Sequence, residues 1–301
     1  MATLKGQNFR ILRLVNTRFE VIAMATQCTV TLTGNTEEAS SKEDVGLAAK
    51  PTVTSKSWSV SVESLSTYDV TILLQIMKEM TPVTLMWDET QTTNNQALAS
   101  SSVQRIGTAY LNDATFNFND RENAAKSLQF TGCSALTHDT QVSSSVISAP
   151  GYTKGQYVRL FLSSDNTAVP TRVIAAAKNL SLHVSLTLED ATTKDTEGNW
   201  TIQEPTALAY DITTTALMRS GETISSDVGA QTLADLEAIY EMSSPVKWQI
   251  ANVSGANQRT KGDIIASGLV IVTQLTLNGQ NRQKADYSAQ LTGYGDYNFL
   301  Y

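Results

Sequence analysis

Residues 28 to 33 read Cys-Thr-Val-Thr-Leu-Thr, so Cys28, Val30 and Leu32 fall on one side of an extended strand and Thr29, Thr31 and Thr33 on the other. The same period of two sets Trp58, Val60 and Val62 against Ser57, Ser59 and Ser61. It sets Phe116 and Phe118 against Thr115, Asn117 and Asn119, and Leu128 and Phe130 against Ser127, Gln129 and Thr131. Later in the chain Leu182, Val184, Leu186 and Leu188 alternate in the same way, as do Leu275 with Leu277 and Ala289 with Leu291. Each strand therefore has one apolar face and one face of hydroxyls and amides, and the apolar faces must meet in a core. A helical period is found in two places, 68–80 and 231–242, and in the second Leu233, Leu236, Ile239 and Tyr240 share one stripe. A proline, Pro82 or Pro245, opens a further strand after each.

The two sets of elements are copies at the level of sequence. EEASSKEDVG at 37–46 returns as EDATTKDTEG at 189–198, and the match extends leftward to 21–46 over 173–198 at a shift of 152. Residues 107–132 align without gaps to 268–293 at a shift of 161. There Gly107, Thr115, Asn117, Arg121, Ala124, Ser127, Gln129, Thr131 and Gly132 recur as Gly268, Thr276, Asn278, Arg282, Ala285, Ser288, Gln290, Thr292 and Gly293. Lys5-Gly6-Gln7 and Pro82-Val83 recur in order as Lys154-Gly155-Gln156 and Pro245-Val246. A unit this long is a domain and not a solenoid repeat. The expected organisation is a first domain over 1–137, a Ser-, Pro- and Gly-containing linker over 138–153, and a second domain over 154–301. The expected fold class is mainly β: two tandem β-sandwich or partial-barrel domains, each with one α-helix and a long strand-connecting loop.

Composition narrows the function. With 41% hydrophobic and 17% charged residues, the 301-residue chain has the apolar content for real cores. The net charge of −7 divides evenly, −3 over residues 1–150 and −4 over 151–301, which leaves no basic stripe for gripping phosphates. Cys28 and Cys133 stand far apart with no Cys or His at metal-binding spacing, so they are expected to be free, half-buried thiols. The first residues lack the apolar core of a signal peptide, and no stretch has the apolar length of a membrane span; a soluble protein of cytoplasmic origin, with no membrane partner, is expected.

No catalytic pattern is found. His138 and His183 are the two histidines, they occupy non-equivalent positions in the two copies, neither lies near a nucleophile motif, and both are expected to be structural. The motifs G-x-S-x-G, G-x-x-x-x-G-K and H-E-x-x-H are all missing from the sequence. The acidic cluster Glu37, Glu38, Glu43 and Asp44 lacks the alternating ligand spacing of a calcium loop and reads as solvated. The three Asn-x-Ser/Thr sites at 179, 199 and 252 mean nothing without a secretory signal. Neither an enzyme nor a metal or other cofactor is expected. Trp58 lies on the apolar side of its strand and is expected in the core; Trp200, just after the acidic loop, is open between a packing role and an interface anchor.

A hydroxyl- and amide-rich sheet face, a single helix and a long charged loop occur together in KGQNFRILRL, VIAMATQCTVTLTGNTEEASSKEDVG, SWSVSVESLS, PVTLMW and GTAYLNDATFNFNDRENAAKSLQFTG. This set resembles the major tail protein, or tail tube protein, of long-tailed bacteriophages over nearly the whole first copy. The second copy is diverged, with TALAYDITTTAL in place of the Trp58 strand. The resemblance implies a structural virion protein, assembled in the bacterial host cytoplasm. Its sheets would join edge to edge around a channel, and its rings would stack into a tail tube that DNA crosses without specific binding. Because single-domain relatives usually form six-fold rings, a duplicated chain is expected to make trimers with pseudo-six-fold symmetry. The implied partners are further copies of the chain, the tape measure, the tail terminator and the tail tip. The loops at 34–56 and 186–207 are expected to carry contacts between stacked rings, through Glu37, Glu38, Lys42, Glu43 and Asp44 and through Glu189, Asp190, Lys194, Asp195, Glu197 and Trp200. Two alternatives stand beside this reading: a tail-tip or tail-completion ring subunit, and a tandem carbohydrate-binding β-module that stacks sugars on Trp58 and Trp200.

Overall fold

The structure is a computed structural model that describes residues 6, 9–15, 18–22, 25–41, 50–66, 70–89, 104–139, 144–145, 153–219, 230–254 and 259–298. The first half contains strands β1 (Phe9–Val15), β2 (Arg18–Val21), β3 (Ala25–Glu38) and β4 (Pro51–Leu65), helix α1 (Val70–Lys78), then β5 (Val83–Glu89), β6 (Gln104–Asn119), β7 (Ala125–Gly132), β8 (Thr137–Asp139) and β9 (Ser144–Ser145). The second contains β10 (Val158–Leu162), β11 (Arg172–Ile174), β12 (Ala177–Asp190), β13 (Gln203–Leu217), β14 (Ala230–Gln231), helix α2 (Leu233–Met242), β15 (Val246–Ser254), β16 (Thr260–Asn278) and β17 (Asp286–Gly293). Among the described residues the fold is mainly β with one α-helix in each half, as the alternation and the two helical periods predict. Lys5, Gln7 and the loop residues Lys42, Glu43 and Asp44 lie outside the described residues, as does most of 138–153.

The halves pair their strands in the same order. In the first, β2-β1-β5-β6-β7-β4-β3 form a continuous antiparallel path. In the second, β11-β10-β15-β16-β17-β13-β12 follow it strand for strand. Registers agree as well. Leu85 opposes Gly107 as Trp248 opposes Gly268, and Leu32 opposes Trp58 as Val184 opposes Tyr210. Even irregularities recur: the β6–β7 ladder slips between Leu111 and Asp113, and the β16–β17 ladder between Val272 and Gln274, which are the same positions at the sequence shift of 161. Slips at Asn35/Thr36 and Thr187/Leu188 coincide at the shift of 152.

The bulge in β6 explains how each half makes two layers. Before it, Arg105–Ala109 pair with β5; after it, Asp113–Asn119 pair with β12 of the other half, while β7 runs along the opposite side. An extra residue bends a strand and raises its twist, so β6 passes from one layer into the other. Through this pairing β6 and β12 merge both halves into one sheet that does not close into a barrel. The joined layer reads β3-β4-β7-β6-β12-β13-β17-β16, four strands from each half.

Beneath this layer lies the core. Trp58, Val60 and Val62 of β4, Leu111, Ala114 and Phe116 of β6, and Leu73, Leu74 and Met77 of α1 are buried together, with Leu182, Val184, Ile212, Trp248 and Leu291 from the second half. Trp58 meets Trp87 with ring centroids 5.4 Å apart, and Tyr210, in the matching position, meets Trp248 at 5.8 Å. The recurring glycines make room for these rings. A Cβ on Gly107 would sit 2.5 Å from the Trp58 ring and one on Gly132 would collide with the same ring; one on Gly293 would sit 2.6 Å from the Tyr210 ring. Two apolar residues depart from the alternation rule: Leu32 on β3 and Leu277 on β16 are 59% and 53% exposed.

Candidate functional site

The other face of the joined layer is a wall of hydroxyl and amide side chains. Following direct cross-strand partners, one row runs Gln27, Glu63, Ser127, Thr115, His183, Asp211 and Thr292 across both halves. A parallel row runs Asn119, Asn179, Thr215, Ser288 and Thr276. The wall follows directly from the Ser/Thr/Asn/Gln positions of the alternating strands, because residues two apart share a face. Thr131 Oγ1 donates to Asn112 Oδ1 at 2.9 Å at the first bulge, and Thr273 and Thr292 hydroxyls meet at 3.1 Å at the second. The recurrence of Thr131 as Thr292 therefore has a local cause.

A titratable cluster on this wall sits at the seam between halves. His183 on β12 reaches Asp113 on β6 through Nε2 and Asp211 on β13 through Nδ1, each at 2.8 Å. Carboxylates accept hydrogen bonds, so a ring that satisfies both must carry both protons and a positive charge. Partial burial pulls the His183 pKa down, but the hydrogen bonds and charges of Asp113 and Asp211 outweigh it and the net direction is up from the ordinary 6.5. The structural role expected for His183 takes this specific form. Asp211 is its hairpin partner and was accessible from strand register, whereas Asp113 comes from the other half through a pairing with no local sequence signal.

The predicted loop residues divide. Glu37 and Glu38 lie exposed at the end of β3, and Glu189 and Asp190 exposed at the end of β12. Lys194 and Asp195 are exposed in the turn that follows. Asp190 accepts from the Thr192 amide at 2.9 Å and from its hydroxyl, which holds its carboxyl below the ordinary value. Glu197 stands in a single 3-10 turn ending at Asn199. This second loop reaches the first half: Asn199 Nδ2 donates to the Val53 carbonyl at 3.1 Å, the Thr201 amide to the Lys56 carbonyl at 2.8 Å, and Lys56 Nζ lies 5.9 Å from the Trp200 ring centre. Trp200 is half-buried against its own chain, so packing is part of its role. Trp58 is 2% exposed with its indole N–H on the Ser134 carbonyl at 2.8 Å, which leaves no face for stacking a sugar.

Cys28 and Cys133 are free and partly buried, and burial raises both thiol pKa values. Among the described residues no group of three or more His, Cys, Asp or Glu is placed to hold a metal ion. Among the same residues no helix is long and apolar enough to cross a membrane.

No protein-family model matches the chain, and no curated protein matches it. Among solved structures, it is similar to the tail of an empty gene transfer agent particle, refined with six-fold symmetry, at 14% identity and a TM-score of 0.37, over 50% of this chain and 99% of that one. It is similar to a chain of the native gene transfer agent virion at 14% identity and a TM-score of 0.38, with the same coverage. It is also similar to the SPP1 tail tube, at 17% identity and a TM-score of 0.36, over 47% of this chain and 75% of that one.

Proposed function

We propose that the chain is a structural, non-enzymatic subunit of a phage-type tail tube, built from two copies of one unit, and that it polymerises as stacked rings around a DNA-conducting channel. The observation that carries this reading is the β6–β12 ladder. It joins two halves of identical strand order through unlike edges, head to tail, and leaves the same two kinds of edge, β3 and β16, at the ends of the joined layer. A head-to-tail contact that repeats closes into a ring or continues as a helix. Three chains supply six units, in keeping with the trimeric ring that the sequence resemblance implies.

The polar wall supports the conducting role. Its hydroxyls and amides present no cationic stripe, and the net charge of −7 repels phosphates, so DNA slides past without being held. The charged residues at 37–44 and 189–197, with Trp200, are the proposed contacts between rings. Exposed ion pairs are worth about 0–1 kcal/mol each, and only their repetition along a tube makes them count. Tape measure, terminator and tip proteins are the proposed partners at the two ends.

Negative-stain electron microscopy of the purified protein at rising concentration tests the reading. Hollow tubes with an axial repeat are expected. Single rings that never stack would favour a terminal or tip subunit, and dispersed monomers at every concentration would overturn ring assembly.

A further inference from the structure

The internal seam is a template for an external one. At the seam, β6 residues Ala114, Phe116 and Phe118 oppose β12 residues Val184, Leu182 and Leu180, and all six are at most 3% exposed. The strand equivalent to β12 is β3 and the strand equivalent to β6 is β16. Among the described residues β3 pairs only with β4, and the stretch of β16 that matches the seam pairs only with β17. Carried over at shifts of 152 and 161, the seam residues become Leu32, Val30 and Cys28 on β3 and Leu275, Leu277 and Gly279 at β16. Leu32 and Leu277, 59% and 53% exposed, are therefore the counterparts of Val184 and Phe116, both fully buried. A long edge strand with alternating apolar residues is a template for pairing with another chain.

A second, independent feature points to the same occupant. Gly155 is wedged against the end of β6: its amide donates to the Glu122 carbonyl at 2.9 Å, and a Cβ there would meet the Asn119 backbone nitrogen at 2.6 Å. Its counterpart Gly6, in the same Lys-Gly-Gln sequence, has nothing within 4 Å of such a Cβ. The seat that Gly155 occupies at Asn119 corresponds to one at Gln280, at the far end of the chain.

We infer that β16 of one copy pairs antiparallel with β3 of the next in the register Leu275 to Leu32, Thr276 to Thr31, Leu277 to Val30 and Asn278 to Thr29, with Gly6 of the second copy seated against the backbone at Gln280. The inference rests on the proposed self-assembly and assigns its contact. The register buries Leu32 and Leu277 in the common core and keeps Thr31 and Thr276 on the polar wall, because a shift of one residue would turn every side chain over. At this seam the places of His183, Asp113 and Asp211 are taken by Thr31, Gln274 and Ser59, so hydroxyl and amide groups replace the ionic clasp.

The test uses the full chain with Cys28→Ser and Cys133→Ser as background. Directly opposed residues lie about 4.5–5.5 Å apart at Cα, within disulfide reach, whereas diagonal neighbours lie at about 7–8 Å and are not bridged. Thr31→Cys with Thr276→Cys is expected to give covalent multimers under mild oxidation, at least about tenfold more than the diagonal pair Thr31→Cys with Gln274→Cys, which stands outside that reach. Preferential linking of the diagonal pair would overturn the register. Rings or tubes seen by microscopy with neither pair linking would overturn the edge assignment while leaving the tube reading intact. Failure of the background protein to assemble at all would remove both. In parallel, Gly6→Val is expected to leave the thermal midpoint of the monomer unchanged and to reduce assembly; assembly at the unaltered level would overturn the Gly6 seat.

Discussion

At the scale of single residues, several of the identities shared by the halves have a local cause. Gly107 and Gly132 recur because Trp58 and Tyr210 occupy matching places, and Arg121 and Arg282 recur in hairpin turns with matching left-handed backbone, φ 63° and 66°. Other equivalences were not legible: Met80 and Ser243 both take φ 50° after their helices, yet nothing in Met and Ser suggests it. Gly132→Ala is expected to cost about 1–3 kcal/mol, since the new methyl would collide with the Trp58 ring and the core must give way. Adding Trp58→Phe should recover part of that loss, which thermal denaturation of the two single variants and the double variant would reveal as coupling. His183 gives a pH signature with a definite sign. Its folded pKa is raised, so its contribution is fully present below the unfolded value near 6.5 and is lost as pH rises through the folded value. The stability gap between the protein and His183→Gln is therefore expected to be wide at about pH 5.5 and to narrow by about pH 8.5; a gap independent of pH would contradict the ionic clasp.

At the scale of elements, the period-of-two strands and both helices were legible, and the facing of α2 was legible in part. Leu236 and Ile239 are buried as the stripe predicts, but Tyr240 is 47% exposed. The buried side is rotated toward Asp235, which is 5% exposed, because Arg172 on β11 holds that carboxylate through its Nη1 and Nη2 at 3.1 and 3.0 Å. Asp235 also closes the helix start: its Oδ2 accepts from the Thr232 amide at 2.9 Å while its own amide donates to Thr232 Oγ1 at 3.3 Å. Hydrophobic periodicity cannot register a carboxylate drawn inward by a distant arginine. Asp235→Ala removes the reciprocal cap and the carboxylate held by the partly buried Arg172, which keeps its hydrogen bond to the Ala230 carbonyl, so chemical denaturation is expected to show a loss of about 2 kcal/mol. A loss no larger than that of an exposed surface site would contradict this account.

At the scale of the whole molecule, the sequence carries the recurring pattern but not the way the two halves meet. The β6–β12 ladder brings Phe116 to Leu182 across more than 60 residues of chain, and neither strand differs locally from an edge strand. The same blindness explains Leu32 and Leu277. Alternation places them inward, and the single chain leaves them out, as the proposed pairing with another copy requires. Long edge strands that carry exposed apolar residues such as Leu32 and Leu277 favour pairing with another chain. The central claim is that two equivalent units per chain build a ring of six units from three chains. Image reconstruction of the assembled particle, with subunits counted around the axis, tests it most directly. Three chains per ring, with β3 and β16 of neighbours in one continuous sheet, is the predicted result; six chains per ring, or neighbours joined through any other edge, would contradict it.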